Sequence, residues 1–121
     1  MEIKVEILEG DIKWICLKGS MDIPGTEKVD MSMTTLTSFE KTYAIVDLTE
    51  VHFMGSIAIG LLFRCARTIR LKGGNMVLYN PQPGVADVLE KTRVEAILPI
   101  TSDLADAMKK VMEPTKVNRF G

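Results

Sequence analysis

His52 is the only histidine among the 121 residues, and Cys16 and Cys65 are the only cysteines. A metal site built on two histidines is thereby excluded, and the cysteines lie too far apart for a ligand pair of metal-binding spacing. A Cys–His dyad would need one thiol to reach His52. Both cysteines instead fall inside apolar segments, Cys16 in a strand pattern and Cys65 about three turns into a helical one, which is the setting of buried structural thiols. Lys72-Gly73-Gly74-Asn75 lacks the flanking pattern of a phosphate-binding loop, and its glycines are explained by helix termination. There is no Gly-x-Ser-x-Gly elbow. Asp11, Asp22, Asp47 and Glu50 could converge at one rim of an α/β sheet. By position they are foremost turn and capping carboxylates. The inventory implies no catalytic residues, no metal and no cofactor.

Ser56 has more scope. It follows Gly55 and opens a helical pattern carrying Ile59, Leu62, Phe63, Ala66 and Ile69. One reading is an N-cap, whose hydroxyl satisfies an orphan amide of the first turn. The other is a phosphate acceptor. Free amides and the helix dipole accommodate an added charge of about −2, while a docked partner would feel it as repulsion and desolvation. Ile57 and Leu61 fall on a second face of the same helix. They either dock a partner beside Ser56 or are covered by a neighbouring helix.

The elements that hold Ser56 follow from periodicity. Ile3, Val5 and Ile7 alternate with charged residues, as in a half-buried strand. Gly10-Asp11 marks a turn, and Ile12 to Leu17 a second strand, so residues 2–18 form a hairpin. Pro24 suits the first turn of a helix over 24–39. Residues 43–48 are almost all apolar, the pattern of a strand covered on both faces. A turn through 49–55 leads to the helix 56–71, stopped by Gly73-Gly74. A buried strand at 75–79, a short helix around 85–92, and a short strand at 97–100 follow, with Pro99 placing the last at a sheet edge. Ser102 is expected to cap a final helix ending before Pro114. A hairpin followed by strand–helix units is α/β with a mostly parallel central sheet and about four helices.

Composition narrows the function classes. A net charge of −1 gives no basic field for nucleic acid or anionic membrane. No window approaches the roughly 20 apolar residues of a membrane span. Residues 1–7 read as a strand rather than a signal peptide, so a reduced, cytoplasmic protein is expected.

The run Val46-Asp47-Leu48, then Val51-His52-Phe53-Met54-Gly55-Ser56-Ile57-Ala58-Ile59-Gly60-Leu61-Leu62, resembles the STAS domain of bacterial anti-sigma-factor antagonists. Gly19-Ser20-Met21-Asp22 is similar to that family's turn after the second strand, and Gly73-Gly74-Asn75-Met76-Val77-Leu78 to its glycines before a strand. The resemblance spans about residues 3–112 and implies one STAS-like domain over 1–113, with 114–121 as a tail. The family's helix start reads Asp-Ser-Ser/Thr-Gly-Leu-Gly. Here Gly55 replaces the acid, Ile57 the second hydroxyl and Ala58 the first glycine, while Ser56 falls on the phosphoacceptor.

The resemblance implies a partner-switching transcription regulator. It would bind an anti-sigma factor of the serine-kinase type when Ser56 is unphosphorylated and release it on phosphorylation, with a phosphatase as a further partner. Asp22, Gly55, Ile57 and Leu61 would form the docking surface, and His52 and Met54 would line the same loop. The chain would be a monomer or weak dimer. The alternative within the family is a non-switching accessory subunit of a lipid or anion transporter, held by the same surface.

Overall fold

Charged and apolar residues alternate from the start of the chain, and in the computed structural model, which describes residues 1–113, they form strand β1 (Glu2–Ile7). A 3₁₀ turn (Glu9–Asp11) leads into β2 (Lys13–Met21), antiparallel to β1. Gly10 and Asp11 both take left-handed backbone in this turn, with φ of 78° and 60°. The following elements are α1 (Ile23–Ser38), β3 (Tyr43–Met54), α2 (Ser56–Leu71), β4 (Asn75–Tyr79), α3 (Pro83–Lys91), β5 (Ile100–Thr101) and α4 (Leu104–Val111). The strands lie in the order β1-β2-β3-β4-β5, and every pairing after the hairpin is parallel. The expected α/β class, hairpin and four helices are therefore present. The tail from residue 114 lies outside the described residues.

Strand order explains the layering. Right-handed crossovers that always step in the same direction put their helices on one face. Val29 and Met33 of α1, Leu62 and Ile69 of α2, and Val85 and Leu89 of α3 accordingly pack on Leu17, Val46, Leu48 and Leu78. Among the described residues, only α4 covers the other face, setting Ala107 and Val111 on Ile45 and Val77. Alternation along β3 divides Val46 and Leu48 from Ile45 between the two layers.

Three local expectations are corrected. β3 does not end at 48 but runs to Met54, because the β2–β3 ladder contains two bulges. Cys16 faces Asp47 but Lys18 faces Glu50, and Gly19 faces Val51 but Ser20 faces Phe53. Each shift inserts one extra residue on β3, which breaks the period of two. The buried positions become Leu48, Val51 and Met54, three apart, so the segment reads as a turn. The last strand begins at Ile100 rather than Ile97. Pro99 has no N–H, and it joins the sheet only through its carbonyl, which accepts from Leu78 N at 2.9 Å. The last helix is capped by Asp103, whose carboxylate accepts from Asp106 N, and not by Ser102.

The helix that follows β2 starts under a steric constraint. A Cβ at Gly25 would lie 2.0 Å from the backbone oxygen of Ser20. Gly25→Ala must push the first turn of α1 away from β2. We expect it to lose about 1–3 kcal/mol of stability, a typical cost of overpacking. Unchanged stability in a urea titration would contradict this close approach.

Candidate functional site

The ends of β2 and β3 are joined by a hydrogen bond from Gly55 N to Met21 O, 3.0 Å long. Each strand then enters a helix at once. Two helix N-termini are thereby set side by side, with N-caps at Asp22 for α1 and Gly55 for α2.

The two ends are finished differently. The Asp22 carboxylate accepts from Gly25 N at 2.8 Å, which satisfies an orphan amide and places negative charge on the positive end of the helix dipole. Asp22 therefore caps α1 and remains half-buried at the rim. The N-terminus of α2 has no side-chain cap. Ser56 is its first helical residue, not its cap, and is exposed. Among the described residues, its hydroxyl makes no hydrogen bond to the protein. The Gly55 carbonyl accepts from the amides of Ala58 and Ile59. Those of Ser56 and Ile57 find no acceptor among the described residues and face outward.

Gly55 is not required by geometry. Its φ is −93°. A Cβ there would meet nothing closer than the Met21 oxygen and the Phe53 ring, both at 3.6 Å, which is ordinary contact. An acidic residue would fit.

Three exposed apolar side chains surround this end of the sheet. Ile57 is 40% exposed, Phe53 50% and Ile23 63%. Ile57 was expected. Ile23 and Phe53 were missed, Phe53 because the bulged strand reads as a turn. The three-residue spacing of Leu48, Val51 and Met54 is the signal that would have turned Phe53 outward. Leu61 is a correction. It is 2% exposed and belongs to the main core, so it supports the surface from beneath. The buried stripe of α2 takes in Ala58, Leu61 and Cys65 as well as Ile59, Leu62, Ala66 and Ile69, because α1 packs along that side. Arg64 marks this contact on the surface, bonding Asp30 at 2.7 Å and Thr34 at 3.1 Å. His52 is exposed and Met54 buried, both within β3 rather than a loop.

The remaining candidate groups are drawn into structural roles. Asp47 accepts from the amide and hydroxyl of Thr49 at 2.9 and 2.6 Å. Asn80 and Gln82 donate to the same threonine, fixing the loop after β4. The Cys65 thiol is pushed up by burial. That of Cys16 is pushed up by burial and by the charges of Asp47 and Glu50. Both shifts disfavour the thiolate, the reverse of an activated nucleophile. Among the described residues, no group of three or more His, Cys, Asp or Glu side chains could hold a metal ion. No described helix is long and apolar enough to cross a membrane.

The STAS domain family model matches residues 2–107. The chain belongs to the STAS domain family. Its fold is similar to that of an anti-sigma factor antagonist from Mycobacterium paratuberculosis, at 17% identity and a TM-score of 0.82, covering 93% of this chain and 94% of that one. An anti-sigma-factor antagonist (STAS) domain protein from Planctomyces limnophilus is 21% identical, with a TM-score of 0.78 and coverage of 92% and 98%. The anti-sigma factor antagonist SpoIIAA in its unphosphorylated form is also 21% identical, with a TM-score of 0.71 and coverage of 91% and 96%. SpoIIAA of Bacillus has been solved in a phosphorylated form as well, which matches this chain with a TM-score of 0.65, 20% identity and coverage of 91% and 99%. At these identities the likeness is one of fold. Within it, this STAS domain presents an uncapped helix end with a free hydroxyl and an apolar rim.

The uncapped end makes a stability prediction. Ser56→Ala should change unfolding free energy by no more than about 0.5 kcal/mol, the range of surface substitutions. A loss near 1 kcal/mol in chemical denaturation would restore the cap reading. Gly55→Asp should raise stability by a few tenths of a kcal/mol, because aspartate is a slightly better N-cap than glycine.

Proposed function

We propose that this STAS domain is a partner-switching regulator of the anti-sigma-factor antagonist kind. In this reading it binds an anti-sigma factor of the serine-kinase type in the cytoplasm, and phosphorylation of Ser56 ends the complex. A phosphatase would restore the binding form. The observation that carries the proposal is the exposed, unbonded hydroxyl of Ser56 on the uncapped N-terminus of α2.

The chemistry works in both states. A phosphate on Ser56 would supply to α2 what the Asp22 carboxylate supplies to α1, so the folded domain accommodates the charge. A docked partner would have to desolvate that charge beside the apolar rim, with Asp22 close by as a like charge. The rim of Ile23, Phe53 and Ile57, with Asp22 and Gly55 between, is the docking surface in this account. Leu61 holds Ile57's turn against the core. The domain is then a substrate of the kinase and needs no catalytic group of its own. Family membership and the fold shared with SpoIIAA, known in unphosphorylated and phosphorylated forms, support the reading.

Gly55 favours a second reading. The family's acid is absent although a side chain fits there, and Ile57 makes the site more apolar. A non-switching STAS subunit of a lipid or anion transporter would use the same rim without phosphorylation.

Phosphopeptide mass spectrometry on protein from its native cell separates the two. The first reading expects phosphate on Ser56. It also expects Ser56→Ala to retain the co-purifying partner and Ser56→Asp to bind it at least about tenfold more weakly. Equal binding by both variants, with no phosphate on Ser56, removes the switch and leaves the transporter reading.

A further inference from the structure

The sheet has one long open edge. At the far side, β5 has only two residues, whereas β1 has six and no neighbour beyond it among the described residues. Open edges of this length invite pairing with another strand. Two of its three apolar residues are also uncovered, while Ile3 packs against the core. Val5 is 40% and Ile7 61% exposed, because α1 packs over β2 and against α2 rather than out over β1.

The hairpin fixes which backbone groups are free. Leu8 N donates to Ile12 O at 2.8 Å, and the β1–β2 register continues this pairing as Glu6 with Trp14 and Lys4 with Cys16. In an antiparallel ladder, hydrogen-bonded pairs alternate. The even-numbered residues of β1 therefore bond to β2, and the amides and carbonyls of Ile3, Val5 and Ile7 point outward from the edge. Side chains divide the same way. Ile3, Val5 and Ile7 lie on the α1 side of the sheet with Leu17 and Ile15, and Lys4 and Glu6 lie on the α4 side with Cys16 and Trp14.

We propose that β1 pairs antiparallel with β1 of a second copy of this chain, about a two-fold axis through Val5, to make one continuous sheet across a weak dimer. Charge selects both occupant and register. A two-fold through Val5 sets Lys4 opposite Glu6 of the other copy, twice, in non-hydrogen-bonded pairs where side chains approach most closely. It also sets Val5 against Val5 and Ile3 against Ile7, and brings the outward amides of these three residues onto the outward carbonyls of the other copy. An axis through Lys4 would oppose lysine to lysine and Glu2 to Glu6. One through Glu6 would oppose glutamate to glutamate. An axis through Ile3 would oppose Glu2 to Lys4 but would overlap only residues 2–4 of the strand, so the axis through Val5 is the charge-complementary register with the longest pairing. On the α1 side, the paired Val5 and Ile7 side chains would fill the gap left beside each α1. A single strand pairing lies at the small end of specific interfaces, so dissociation is expected at roughly 0.1 mM.

The test is sedimentation equilibrium of the full chain from about 10 µM to 1 mM, with Lys4→Glu, Glu6→Lys, the double variant and Val5→Pro. Each single reversal should weaken the dimer about tenfold or more, since it creates two like-charge pairs. The double variant should recover to within about threefold of the parent. Val5→Pro should be monomeric yet folded, because the N–H it deletes points away from β2. Amide exchange by NMR should slow with concentration at Ile3, Val5 and Ile7 and stay constant at Lys4 and Glu6. A monomer at every concentration overturns the proposal and assigns the edge to another occupant, such as a strand of a partner protein. A dimer indifferent to the charge reversals, or protected elsewhere, overturns it too. None of these readouts depends on Ser56.

Discussion

Two extra residues on β3 determine where the candidate site sits. In a regular parallel ladder β2 and β3 would advance together, but the bulges after Asp47 and Val51 let β3 gain two residues on β2. The strand still returns a buried residue to the core every third position, at Leu48, Val51 and Met54. It then closes against β2 through the bond from Gly55 N to Met21 O. That single contact puts the N-termini of α1 and α2 at one end of the sheet. Gly25 completes the arrangement by letting the first turn of α1 lie where a Cβ would collide with Ser20. Bulges concentrate where a sheet must re-aim side chains near a functional surface, and here they turn His52 and Phe53 outward beside Ser56.

The electrostatic difference between the two helix ends follows from one residue type at equivalent positions. Asp22 brings a carboxylate and closes its helix; Gly55 brings nothing and leaves the other open. An open N-terminus attracts an anion, and a serine as its first residue is the position from which a phosphate could reach the free amides. The apolar rim gives the unmodified surface a reason to be covered. Burying what remains exposed of Ile23, Phe53 and Ile57 would contribute on the order of 1 kcal/mol each. Introducing a doubly charged group among them would oppose a sum of that size, so in the proposed reading one modification would be enough to reverse docking.

Much of this was legible in the sequence where local rules and tertiary structure agree. The bounds of α2 follow from Ser56 and Gly73-Gly74, those of β4 from its apolar run, and the hairpin from alternation around Gly10-Asp11. The misses have definite causes. Bulges disguise residues 49–54, so a strand reads as a turn and Phe53 is passed over. Helical spacing leaves Leu61 open between a partner and a neighbouring helix, and the resemblance sets it on the docking surface, whereas α1 packs along its flank and buries it. Ser102 is expected to cap a helix and Ser56 reads either as a cap or as a phosphate acceptor, but the following Asp103 and the preceding Gly55 occupy the cap positions, a one-residue difference that residue preference cannot resolve. In Ser56 that one residue is what leaves the hydroxyl free.

The central claim is that partners dock at the open end of α2 and that charge on Ser56 ejects them. A photo-crosslinking amino acid at Ile57, with a second at Leu71 on the far end of the same helix, tests it in the native cell. The account predicts a crosslink from position 57 to an anti-sigma factor of the serine-kinase type, none to it from position 71, and loss of the crosslink when Ser56 is also changed to Asp. The same partner captured from both positions, or a crosslink that survives Ser56→Asp, would contradict it.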